Sequence, residues 1–323
     1  MHTLALTVAL LVLGRGVAPP SDTLTGLEFL DGGRVLIGTE WTGLNVFDRG
    51  GKLQSSLRPR GFGRVSALSD DGKLLLLTRG GHAEVVTTAT GKMVCAFEAD
   101  QYQVGPARFS ADGKQLLSTA LSKGQERPFA LWDAATCHSV RRFKGHTGSP
   151  LSSLTFGAGE TTVLSSNRGA VLEWDVATGE LRRELGVSAP SVESLPGGKL
   201  LLVDGGKLEL VAADGSTKVA SWTLPYSNVF GLAALPGTSL VVIGGQSAAF
   251  VLDVSAKEKA PEPLAEKLTL GHDFVGVRAS PDGKRALLSD THGDTMLLDV
   301  ERRALVWRAT LPAAALPAGP GPE

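Results

Sequence analysis

The chain has 323 residues, 42% of them hydrophobic and 20% charged, with 40 Gly and 17 Pro. That profile excludes a disordered chain and points to many short strands joined by tight turns rather than to long charged helices. A formal net charge of -1, with both signs mixed along the chain, gives no general attraction for phosphate backbones or anionic lipid, so nucleic acid is not an expected partner.

At the N-terminus, Leu4 to Leu13 (LALTVALLVL) is an unbroken apolar run. It is shorter than the roughly 20 residues that span a bilayer and suits the apolar core of a secretory signal over residues 1–18. No Lys or Arg precedes it, and its small-residue site Gly16-Val17-Ala18 is followed by Pro19, so an uncleaved anchor or a misplaced start stays open. Export to the periplasm, the cell envelope or the outside is the expectation, with no membrane span in the mature chain. Without a genuine signal the protein would be cytoplasmic.

Further along, one short turn recurs seven times: Asp31-Gly32-Gly33, Asp71-Gly72-Lys73, Asp112-Gly113-Lys114, Ala158-Gly159-Glu160, Gly197-Gly198-Lys199, Pro236-Gly237-Thr238 and Asp282-Gly283-Lys284. Counted on the last glycine of each turn, the spacings are 39, 41, 46, 39, 39 and 46 residues, the period of a four-stranded propeller blade. Each turn follows an alternating segment, such as Val65-Ser66-Ala67-Leu68, and precedes a more continuously apolar one, such as Leu74 to Leu77. These read as the first and second strands of a blade, half-buried and buried on both faces respectively. A third strand usually ends in Asp, as in Val171 to Asp175, and a turn such as Ala177-Thr178-Gly179-Glu180 leads to a fourth, as in Leu181 to Leu185 or Ala304 to Trp307.

Blades are therefore predicted at 24–58, 63–98, 105–144, 149–186, 189–224, 229–270 and 274–311. Together they make an all-β, seven-bladed β-propeller of four-stranded antiparallel blades over 24–311, with no residues left for a second domain. Lys257 to Lys267 reads as a charged, Pro-containing insertion between the third and fourth strands of the sixth blade. No strand is visibly exchanged between the ends, so the first and last blades should meet by packing alone. The Pro- and Ala-rich tail, 312–323, has no periodicity and reads as disordered. Cys95 and Cys137, the only cysteines, make neither a disulfide framework nor a structural metal site; they would pair only in an oxidising compartment, and unpaired thiols are the expectation.

Several strings resemble the WD-repeat (WD40-like) family: Leu131-Trp132-Asp133, Glu173-Trp174-Asp175, Gly145-His146-Thr147, Gly271-His272-Asp273 and Ser280-Pro281-Asp282-Gly283-Lys284. The resemblance covers about residues 24–311. It implies a buried hydrogen-bonded set in each blade: a His before the first strand, a Ser or Thr in the second, an Asp after it and a Trp in the third. Here the set is degenerate. The fourth blade offers His146, Ser165 and Trp174, with Asn167 or Arg168 in place of the Asp; the seventh has His272 and Ser289, with Leu298 in place of the Trp. Asp-x-x-Thr-Gly-Lys-like turns leave a quinoprotein propeller as a neighbouring possibility, which the Gly-His and Ser-Pro-Asp-Gly-Lys strings disfavour.

The sequence holds no Gly-x-Ser-x-Gly elbow, Ser-x-x-Lys, His-Glu-x-x-His, Cys-x-x-Cys, phosphate-cradling Gly-x-x-x-x-Gly-Lys loop or dinucleotide fingerprint, which lowers the expectation of catalysis. Asp290, His292 and Asp294, in the loop after the second strand of blade seven, could bind a divalent metal and are the route to an alternative reading as a propeller enzyme or metal-binding protein. Asp and Gly are ordinary tight-turn residues, so a plain turn is preferred there and no cofactor is expected. The loops after second strands and between blades share one face. Trp41, Arg58, Arg60, Phe62, Tyr102, Arg127, Arg168, Tyr226 and Phe274 belong to it, and aromatic and arginine side chains dominate contacts when desolvated. That rim is the candidate surface for a protein or peptide partner, with the ring as a non-catalytic scaffold. Trp132, Trp174, Trp222 and Trp307 lie within strands and read as core.

Overall fold

The structure, a computed structural model, describes residues 24–39, 43–57, 64–79, 81–98, 106–120, 126–187, 189, 191–227, 229–245, 248–264, 274–290 and 294–309. Its strands form seven four-stranded antiparallel sheets, each a meander contiguous in sequence, at 24–57, 64–98, 107–147, 153–184, 191–223, 229–263 and 274–309. These are the seven blades expected from the repeat.

The recurring turn has a side-chain cause in three of them. Ser69, Ser110 and Ser280 donate their hydroxyls to Asp71, Asp112 and Asp282, whose Oδ1 atoms also accept the backbone N–H of Lys73, Lys114 and Lys284. Between Asp and Lys the chain turns back through the left-handed region, φ 67–69° at Gly72, Gly113 and Gly283, which costs glycine nothing.

Buried apolar side chains fall into seven clusters, and each cluster lies between two neighbouring blades. In the second strand of blade one, Val35 and Ile37 pack against Leu287, Leu297 and Trp307 of blade seven, whereas Leu36 packs against Val65, Leu75 and Leu77 of blade two. Alternate residues of one strand thus serve different seams, which is why second strands are apolar without interruption. The four strand tryptophans are buried, each at most 8% exposed.

The seams share a second device. Cys95, Arg141, Arg183, Glu262 and Trp307 hold equivalent places in their blades' fourth strands, paired with Val85, Leu131, Glu173, Val251 and Leu297. Each reaches the turn between the third and fourth strands of the following blade. Arg183 donates from Nη1 to the Asp214 carbonyl at 2.6 Å and from Nη2 to that of Ala213 at 2.9 Å; Glu262 pairs with Arg303; Arg141 and Trp307 lie over Gly179 and Gly51, where a Cβ would come within 2.8 and 2.9 Å of them. Cys95 is bonded to Cys137, which corrects the expectation of unpaired thiols. The two are 42 residues apart in sequence, and their proximity exists only once blades two and three dock. Closing a loop of that length removes about 4 kcal/mol of denatured-state entropy. The gripped turn position is left-handed: glycine holds it at Gly51 and Gly179, while Cys137 (φ 57°) and Arg303 (φ 52°) hold it where the side chain itself forms the clasp.

Two boundaries differ from expectation. The fourth strand of blade three, Ser139–Thr147, takes in His146 because its partner Glu126–Asp133 is also long, with Arg127 opposite His146. In blade six the fourth strand is only Glu262–Pro263, inside the stretch read as an insertion. Proline cannot donate to the ladder, and ion pairs from Lys259 and Arg303 to Glu262 hold this short edge instead. Blades one and seven meet without strand exchange, through the stacked Phe47 and Trp307 rings at 6.5 Å and the Arg278–Glu28 ion pair. Replacing Trp307 by Ala empties that seam and should cost about 3–5 kcal/mol in urea unfolding, against less than about 0.5 kcal/mol for Val306→Ala on the exposed side of the same strand.

Candidate functional site

The second-to-third-strand loops and the blade-to-blade connections lie at one end of every meander, so topology places the rim candidates on one face. Trp41, Arg58, Arg60, Phe62, Tyr102, His272 and His292 lie outside the described residues, and Phe274 opens the first strand of blade seven, Phe274–Ala279.

Arg127 and Arg168 flank one buried node at the seam of blades three and four. His146 is 4% exposed and Ser165 fully buried; His146 Nε2 lies 2.9 Å from Ser165 Oγ, and Trp174 Nε1 donates to the same oxygen at 2.8 Å. Asn167 takes the place an Asp would have, its Oδ1 accepting the backbone N–H of Gly169 and Ala170 at 2.8 and 2.9 Å and so fixing the loop. Arg168 stands exposed in that loop, while Arg127, half-buried, lies across the ladder from His146. Blade three carries a reduced version, Trp132 Nε1 donating to Ser118 Oγ at 3.0 Å. Its longer loop sets Ser and Trp 14 positions apart, against 9 in blade four, which hid it from the motif.

Tyr226 packs inward. Its ring meets Phe250 edge-on at 5.5 Å and lies so close over Gly245 that a Cβ there would come within 2.0 Å. Its hydroxyl is buried and makes no hydrogen bond among the described residues, and burial pushes the phenol well above its ordinary pKa.

In blade seven, Asp290 is buried and accepts the backbone N–H of Asp294 at 3.0 Å. Asp294 is ion-paired with Arg308. Both carboxylates thus have structural work, and among the described residues no group of three His, Cys, Asp or Glu is arranged to hold a metal. Ser289 accepts a hydrogen bond from Thr295 Oγ1 at 3.0 Å, so Thr295 supplies the donor that Leu298 lacks.

A further feature emerges at the centre of the ring. Leu30, Ser69, Ser110, Gly157, Leu195, Leu235 and Ser280 each donate a backbone N–H across the first turn of their blade. Two residues before them stand Glu28, Ala67, Arg108, Thr155, Glu193, Ala233 and Arg278, one per blade. Four of the seven are charged, and those four line a central cavity of about 550 Å³ whose exposed edge is formed by Asp70, Pro236 and Pro281 at the first turns. Those turns lie on the face opposite the rim. Arg278 Nε bonds Glu28 Oε1 at 2.5 Å, and Arg108 comes to 4.0 Å from Glu193. Burial raises the Asp70 carboxyl above its ordinary pKa, with Arg108 pulling the other way; burial likewise raises Glu193, opposed by Arg108 and Arg278. The signal was present in the sequence as a charge at the penultimate position of the first strand in four repeats, but only the ring brings the four together.

Burial holds the His146 pKa below its ordinary value of 6.5, against weaker support from Ser165 and Asn167. The unfolded imidazole therefore takes up a proton before the folded one does, and stability falls as pH drops below 6.5 until His146 titrates in the native state. Within that window the parent should lose up to about 1.4 kcal/mol per pH unit relative to a His146→Gln variant, measured by urea unfolding between pH 7 and pH 5.

No protein-family model matches the sequence, and no curated protein sequence matches it. Among solved structures it is similar to the C-terminal WD40 domain of Sif2, with a TM-score of 0.62 and 14% identity, covering 85% of this chain and 81% of that one. At that identity the likeness is one of architecture: the chain is a seven-bladed β-propeller with the fold of the WD40 family.

Proposed function

We propose that this propeller is a non-catalytic scaffold that holds a protein or peptide on the face of its second-to-third-strand and blade-to-blade loops. The observation that carries the reading is the mounting of Arg127 and Arg168 around the buried His146–Ser165–Trp174 node. A loop fixed by a capped Asn167 and a fully packed seam loses little freedom on binding, so contacts made from it are not spent on ordering. Arginine is among the side chains that most often dominate binding energy. WD40-type propellers commonly hold proteins, which agrees in kind without naming a partner.

The test is a pull-down from source-cell extract with the parent and with a Trp41→Ala, Arg127→Ala, Arg168→Ala variant of unchanged melting temperature. A partner kept by the parent, lost by the variant, and protecting amides of 126–147 and 166–171 from hydrogen exchange is the expected result. Equal capture by both, or protection confined to the opposite face, would refute the rim as the contact surface.

We further propose that the chain is exported. The apolar run Leu4 to Leu13 and the Cys95–Cys137 bond support this together, since such bonds persist in oxidising compartments and are rare in the cytosol. Alkylation of intact source cells before lysis should label neither cysteine; labelling of both would count against export.

A further inference from the structure

The central cavity carries charge that its own ion pairs do not use. Glu28 and Arg278 satisfy one another, whereas Arg108 and Glu193 form only a long ion pair, at 4.0 Å and beyond hydrogen-bond range, and among the described residues no side-chain hydrogen bond is made by Asp70, Arg108 or Glu193. The Arg108 side chain is half-exposed and offers a fork of N–H donors, whereas carboxylates offer acceptors alone. Both Asp70 and Glu193 feel the Arg108 charge. The order is therefore carboxylate, guanidinium, carboxylate, with one negative charge in excess. Small residues around them, among them Ser66, Ala67, Ala107 and Ala233, leave the space of about 550 Å³ open, inside the roughly 300–1,000 Å³ typical of ligand sites. The desolvation acting on both carboxyls is what an incoming cation would offset.

We propose that this cavity binds a small basic amino acid, with lysine and ornithine as the type, whose α-carboxylate takes the Arg108 fork and whose two ammonium groups take Asp70 and Glu193. Such a ligand presents cation, anion and cation, the complement of the three groups that lack a hydrogen bond. A diamine lacks the anion and an acidic amino acid lacks the second cation. The ligand enters past Asp70, on the face opposite the rim, so occupancy does not compete with a partner held there.

The test is titration calorimetry of the full chain at low salt with L-lysine, cadaverine and L-glutamate, on the parent, Arg108→Gln, Glu193→Gln and the rim variant Arg168→Ala. One lysine per chain is expected, bound at least about tenfold more weakly by Arg108→Gln and by Glu193→Gln, the loss that follows from removing one charge-assisted hydrogen bond. Arg168→Ala should match the parent, and cadaverine and glutamate should each bind the parent at least about tenfold more weakly than lysine. No heat with lysine at about 10 mM, lysine binding unchanged in both cavity variants, or cadaverine matching lysine would each overturn the proposal. Should either variant melt early, the ligand series on the parent decides alone, because cadaverine differs from lysine only by the carboxylate assigned to Arg108.

Discussion

Little in this molecule is buried until two blades meet. A single four-stranded sheet has apolar side chains on both faces and no partner for either, so the cores form at the seams and the ring is stable only when all of them close. This explains why seven clusters replace one central core. It also explains why the outer strands reach forward to grip the next blade's turn. The grip is covalent at Cys95, ionic at Glu262, a guanidinium on carbonyls at Arg183 and aromatic at Trp307. One geometric position is filled by four chemistries, which indicates that the constraint is the contact and not the residue type.

How much of this could be read beforehand follows from which interactions are local. Turn glycines, apolar second strands and strand tryptophans are set within one blade, and each was legible from the period alone. The Cys95–Cys137 bond was not, because the two thiols belong to different blades and no spacing rule within a repeat relates them. Asn167 stood recognisably where an Asp was wanted, but only its bonds to Gly169 and Ala170 show it capping the loop. The charges at Glu28, Arg108, Glu193 and Arg278 drew no reading from the sequence, because within one repeat each is a single charge on an alternating strand; only the ring gathers them from four blades around one cavity. Tyr226 was judged by type as a contact residue, whereas the missing side chain at Gly245 makes room for its ring in the seam.

The two candidate surfaces draw on different physics. Beside the rim, the loop that carries Arg168 and the strand that carries Arg127 flank a buried imidazole bonded to its hydroxyl and indole partners, a network that rigidifies when its members are satisfied. In the cavity the groups are charged: one pair is closely bonded, Arg278 with Glu28, and another, Arg108 with Glu193, is held only loosely at 4.0 Å.

That among the described residues each blade is one uninterrupted stretch of chain, with no strand lent between the first blade and the last, makes the seam between blades seven and one equivalent in kind to the other six. In closed propellers that borrow a strand, the join is a privileged place and the order of blades in the gene is fixed by it. Here the ring has no such origin. The ring could be circularly permuted, with the last strand of blade seven linked to the first strand of blade one and new ends opened between blades four and five, and the same seven seams would remain to be formed.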